Sequence, residues 1–133
     1  MPEAAGPVTG AGSNAQSPPF ACSWRAGHGG AAWIHVDGEL GTVALPQFEA
    51  TLREARQGAR LVVLDLRELT FIASPGVHVI LAAAREARRD GQALMLARGP
   101  AHVDRVFALT GASTCLSIFD LDPAEPAPAL YLG

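Results

Sequence analysis

The chain of 133 residues has no lysine, only two cysteines, and no apolar run long enough to cross a membrane. All ten basic residues are arginine, and the formal net charge is −3. Nothing in the sequence explains the missing lysine. This charge balance argues against a nucleic-acid binder, which needs a basic face. Cys22 and Cys115 belong to no CxxC pair, so neither a metal site nor a redox pair is indicated. Buried free thiols in a reducing cytosol are expected instead, and with them a cytoplasmic protein. No arginine precedes Arg25, so the basic start of a signal peptide is missing. His28, His35, His102 and Asp104 lack metal-ligand spacing and are expected at the surface or at edges. Glycine-rich phosphate cradles are absent too. No cofactor is expected.

Apolar residues make up 49 % of the chain and charged residues 17 %. That is enough for one domain, which at this size buries roughly two-thirds of its unfolded surface. The stretch from Leu61 to Arg89 organises it. Leu61 to Leu64 is a short, mostly branched apolar run, the composition of a strand buried on both faces in a parallel sheet. A polar connector, residues 65–68, and an apolar return, residues 69–72, follow. Ser74 and Pro75 then read as a helix start, with Ser74 at the N-cap and Pro75 at the first helical position. Val77, Ile80, Leu81 and Ala84 make the apolar face of that helix. Arg88 and Arg89 suit its last turn, and Gly91 its end.

The rest falls around this unit. Residues 1–19 are rich in Ala, Gly, Pro and Ser and read as a disordered tail. Residues 20–25 and 31–36 alternate and predict two strands of a hairpin, joined by a glycine-rich turn at 26–30. Phe20, Cys22 and Trp24 should face the core from the first. Ala32, Ile34 and Val36 should do so from the second, with Trp33 and His35 turned away. Residues 37–42 read as a loop, and a helix follows from 43–46 to 57–58 with Leu45, Phe48 and Leu52 inward. A short strand at 93–97, a helix at 100–110 stopped by Gly111, and a last strand at 116–119 complete the chain. Val103, Val106 and Phe107 should line that last helix's core face. Residues 120–133 form a tail whose prolines disfavour a helix, though Leu130 and Leu132 are available to dock. The order β-β-α-β-α-β-α-β predicts an α/β domain: a mixed, mostly parallel sheet with an N-terminal β-hairpin and packed helices.

Three segments carry a resemblance to a known family. Gly38-Glu39-Leu40 precedes a helix containing Pro46 and Leu52. Leu61 to Gly76 joins the buried strand to a serine at a helix start. Pro100 to Gly111 contains V-x-R-V-F-A-L-T-G. Together, over about residues 20–119, they resemble the STAS domain of anti-sigma factor antagonists. The resemblance implies the STAS-like fold, and it implies that Ser74 is phosphorylated by a partner, an anti-sigma factor that is also a kinase. It implies that the loop with Glu39, Leu40 and Gly41 forms the docking face together with Ala73, Pro75, Gly76 and His78. Three positions depart from the pattern: Ala73 and Gly41 stand where the family has Asp, and Pro75 where it has Ser or Thr.

Three functional readings follow. The first is a regulatory protein that binds the kinase and is released when Ser74 is phosphorylated. The second is a non-switching STAS module in a larger regulatory or lipid-transport assembly, which the three departures favour. The third is a small hydrolase pairing Ser74 with His78; it lacks a G-x-S-x-G elbow. The first is preferred, and it is not an enzyme. Ser74 as a plain helix cap is compatible with it, since a cap serine sits exposed at a helix start. Asp65 is expected to bind backbone N–H groups near the end of its strand.

Overall fold

In the computed structural model, which describes residues 19–121, the three βα connections decide the layering. Strand β1 (Phe20–Ala26) pairs antiparallel with β2 (Ala31–Leu40). Strands β3 (Leu61–Ile72), β4 (Ala93–Ala97) and β5 (Ser117–Phe119) then add in parallel, giving the spatial order β1-β2-β3-β4-β5. Helices α1 (Leu45–Arg56), α2 (Ser74–Arg89) and α3 (Ala101–Leu109) are the crossovers. Crossovers of one hand between strands laid down in sequence all fall on the same side of the sheet. Their buried residues accordingly share one core: Phe48 and Leu52 from α1, Val77 and Ile80 from α2, Val103 and Phe107 from α3, against Ile34, Val36, Val62, Leu64 and Leu96 of the sheet. The alternation of β2 holds, with Trp33 on the other side in a small separate cluster with Val63.

The element order and the hairpin are as the sequence implies, while several details differ. Residues 37–40 are not a loop. They continue β2, because β3 extends beside them and pairs Asp37 with Glu68, Gly38 with Leu69, Glu39 with Phe71 and Leu40 with Ile72. For the same reason residues 65–68 are not a connector; β3 runs unbroken to Ile72, and two register shifts absorb its polar residues. On α2 the buried face is Val77, Ile80, Ala83 and Ala87, with Leu81 and Ala84 only half-buried at its margin. On α3, Val106 is also half-buried. Trp24 is exposed: β1 is an edge strand, and the indole donates to Glu54 on α1 at 3.3 Å. Neither cysteine is fully buried. Cys22 is half-buried with its sulfur 3.1 Å from Thr51 Oγ1, and Cys115 is exposed. Burial pushes the Cys22 thiol pKa up.

Away from the site, Arg56 pins the helices. Its guanidinium donates to Gln92, Glu86 and Asp90 at 2.8–2.9 Å, joining the C-terminal ends of α1 and α2. Asp65 accepts the Arg67 backbone N–H and side chain and lies 3.4 Å from Trp33 Nε1. Burial disfavours its charge, but the hydrogen bonds and charge of Arg67 outweigh that and hold its pKa below 3.8. No helix among the described residues is long and apolar enough to span a membrane. All of the predicted 1–19 tail except Pro19, and the docking of Leu130 and Leu132, lie outside the described residues.

Candidate functional site

The sequence-predicted site residues meet where β2 and β3 end beside the start of α2. Gly38 makes the β2 end possible. Its φ is +96°, and a Cβ there would sit 2.3 Å from the Pro19 carbonyl oxygen. Only glycine fits so close a backbone approach. The neighbouring Glu39 N–H donates to that oxygen at 2.9 Å. Leu40 turns into the core, fully buried, and Glu39 is half-buried. Gly41 then precedes a single 3-10 turn, Thr42–Ala44, in an extended conformation that any residue adopts (φ −96°, ψ −173°). An aspartate there, as in the resembled family, would meet no backbone strain.

Ala73 joins this end to the helix. Its N–H donates to the Leu40 carbonyl at 3.0 Å, and its own carbonyl accepts from Gly76 at 2.8 Å and from Val77 at 3.3 Å. Ala73 is therefore the N-cap, and Ser74 is the first residue of α2. The expected Ser74 cap is not formed: no side chain caps this helix, and Ser74 is exposed. The continuous β3 strand places Ala73, one residue earlier than the pattern suggests, at the turn into the helix. Pro75 follows in the first turn, where its missing N–H costs nothing.

Gly76 sets how closely the two parts approach. A Cβ on it would come 3.1 Å from Ile72 Cγ1 and 3.2 Å from Leu40 Cγ. The helix start thus rests directly on the last core residues of β2 and β3. His78 is exposed and belongs elsewhere. It lines a cleft of about 360 Å³ between α1 and α2, with Glu49, Arg53 and Glu86. No hydrogen bond joins it to Ser74 among the described residues.

Two residues were missed by sequence reasoning. Val43, in the 3-10 turn, is 72 % exposed, and Phe71, near the end of β3, is 48 % exposed. The Phe71 ring lies 4.0 Å from where a Gly41 Cβ would be. Phe71 was read as part of the apolar return at 69–72, and Val43 only as the start of the first helix. The signal available for Phe71 was its position next to Ile72, since neighbours in a strand point to opposite faces. Among the described residues, no three His, Cys, Asp or Glu side chains group to hold a metal ion.

A loop end, a serine at a helix start and a glycine under it match a family as a set. Residues 25–119 match the family described as Mlab, STAS domain. The chain belongs to the STAS family. BtrV of Bordetella bronchiseptica, assigned as an anti-sigma factor antagonist, is 35 % identical over 95 residues, or 71 % of this chain and 79 % of that protein. An anti-sigma factor antagonist from Mycobacterium paratuberculosis superposes with a TM-score of 0.69 at 19 % identity, covering 84 % of this chain and 92 % of that one. The antagonist SpoIIAA in its unphosphorylated form gives 0.67 at 22 %, covering 77 % and 89 %. At these identities the structural likeness speaks for the fold, and the closer Bordetella relative for the subgroup. This chain is an anti-sigma factor antagonist-like STAS domain.

Proposed function

We propose that this STAS domain docks on a serine-kinase anti-sigma factor in the cytoplasm and lets go when Ser74 is phosphorylated. The observation that carries this is the Ser74 hydroxyl. It is exposed, and no hydrogen bond commits it to capping α2. A serine that does not cap its helix there needs another reason to be at that position. Related antagonists give the reading its form: SpoIIAA, which shares the fold, has been solved in a phosphorylated state as well. The docking face would comprise Glu39, Leu40, Gly41, Ala73, Pro75 and Gly76, with Val43 and Phe71 as its exposed apolar part. His78, which faces the α1–α2 cleft, would sit at its margin. The regulatory unit would span residues 20–119. Docking and release need no catalytic step by this chain.

Phosphorylation would add nearly two negative charges at the positive end of a helix dipole. The domain itself would tolerate them. A partner packed on Val43 and Phe71 would not, because burying those charges against an apolar contact costs several kcal/mol. Incubation with candidate kinases and ATP, followed by mass spectrometry of the Ser74 peptide, tests the switch. An unmodified Ser74 with a kinase that binds the protein would refute it.

A second reading has its own support. The matched family carries the Mlab description, and Gly41, Ala73 and Pro75 depart from the phosphorylation pattern. On that reading the same face binds constitutively within a larger assembly, including a lipid-transport one. A pull-down from native extract separates the two: a kinase for the first, transporter subunits for the second.

A further inference from the structure

The cleft of about 360 Å³ between α1 and α2 holds charge that the domain does not use. Both helices are crossovers between parallel strands of one sheet, so they run in the same direction. Near their C-terminal ends Arg56 donates to Glu86 at 2.9 Å, and this pair closes the base of the cleft. One turn back on each helix, Arg53 stands level with Ala82. Another turn back, Glu49 stands level with His78 at the mouth. Arg53 thus lines the cleft opposite an alanine, where Arg56 has a carboxylate. It makes no hydrogen bond or ion pair among the described residues, and neither do Glu49 and His78. Glu49 and Arg53 stay apart although their i, i+4 spacing suits an ion pair.

The floor between these groups is apolar. Leu52 is 4 % and Ala83 8 % exposed, and Val79 is half-buried beside them. Both helices are anchored elsewhere, on the sheet and through Arg56, so alanines at 82 and 83 leave open space between them. A guanidinium over an apolar floor matches an anion that carries an apolar body. The guanidinium fork takes a carboxylate through two parallel N–H groups. The His78 imidazole offers an N–H in either protonation state. Glu49, level with it, repels a second negative charge and so favours a singly charged head over a phosphate. The cleft is also short. From Glu49 to Arg56 a helix rises about 10 Å, which suits a few methylenes and excludes a long acyl chain.

We infer that the α1–α2 cleft binds a short-chain monocarboxylate, with its head on Arg53 and His78 and its chain on Leu52, Val79 and Ala83. Ser74 is not part of this site, and the inference holds whether or not that serine is phosphorylated.

The test is an NMR titration of the full chain with hexanoate. The amide signals of Val79, Ala82 and Ala83 should shift and saturate. Hexanol, which lacks the charge, and acetate, which lacks the chain, should each bind about tenfold more weakly or worse. Arg53→Gln should weaken hexanoate by about tenfold, and Ala82→Leu, which fills the cleft, should abolish its binding. Both positions are exposed, so both variants should melt close to wild type; should Ala82→Leu fail to fold, Arg53→Gln decides alone. The absence of saturable shifts at the cleft overturns the inference, as does undiminished binding by Arg53→Gln. Hexanol binding as well as hexanoate reveals a hollow that reads no charge, and overturns it. Acetate binding as well as hexanoate reveals an adventitious anion on Arg53 and overturns it too. Tighter binding by hexyl phosphate overturns the singly charged head.

Discussion

Replacing Ser74 tests both its structure and its proposed role. A serine that caps a helix loses about 1 kcal/mol on change to alanine. Here α2 has no side-chain cap and Ser74 is exposed, so that cost does not arise. Ser74→Ala should lie within about 0.5 kcal/mol of wild type, as for a surface change away from special features. Ser74→Asp places a negative charge in the first turn and should gain about 0.3–1 kcal/mol at low salt. In a domain of this size each kcal/mol moves the melting temperature by several degrees, so the three proteins should melt close together, aspartate highest. Partner binding should not follow that order. If the docking face includes Ser74, the alanine variant binds as wild type. The aspartate variant should lose tenfold or more, since about 1.4 kcal/mol of charge burial suffices for that. Thermal melts with a titration of each variant against the anti-sigma factor decide the matter. An alanine variant destabilised by a full kcal/mol would show that the hydroxyl caps after all. Equal binding by both variants, together with undiminished binding by chemically phosphorylated protein, would remove the switch.

Three further outcomes follow from the packing. Ile80→Ala, at a fully buried position on α2, should cost roughly 2–5 kcal/mol in denaturant unfolding, and Leu81→Ala, half-buried beside it, clearly less; equal costs would contradict the assigned face. Gly76→Val should lose about 1–3 kcal/mol, because its side chain meets Ile72 and Leu40 at once; a neutral result would mean that the helix start is free to lift off the strand ends. Asp65 has its folded pKa below 3.8, so the stability it adds is present above that value and is lost as pH falls through the lower folded one. Asp65→Asn should therefore weaken the protein at neutral pH and flatten the acid limb of its stability curve, which melts from pH 7 down to 2 would reveal.

How much of this could be read from the residues divides along one physical line. Local patterns were legible: the period-3.6 faces of the helices, the alternation of β2, the glycine stop at Gly111 with its φ of +78°, and the strand-helix order. Non-local pairing was not. Asp37, Gly38 and Glu39 look like turn residues, and Asp65 to Glu68 look like a connector, yet each segment is a strand because the other lies beside it. A residue-by-residue reading has no means of seeing that mutual support. The same extension of β3 moved the N-cap from Ser74 to Ala73, so one missed pairing changed the reading of the site itself. The family resemblance pointed to the ends of β2 and β3 and the start of α2 without giving their geometry. It brought Glu39, Gly41, Ser74 and Gly76 together, while the residues that expose apolar surface there, Val43 and Phe71, carry no motif.

That shift also bears on how such a site can work. A capping serine is tied to fold stability, so modifying it would perturb the domain and its contacts together. With the Gly76 and Val77 N–H groups already donating to the Ala73 carbonyl, the hydroxyl is relieved of structural duty. Gly76 lets the helix start rest directly on Leu40 and Ile72, a contact in which the Ser74 side chain takes no part. Charge placed on Ser74 would then act on the docking contact without loosening the scaffold beneath it, which is the separation a reversible switch requires.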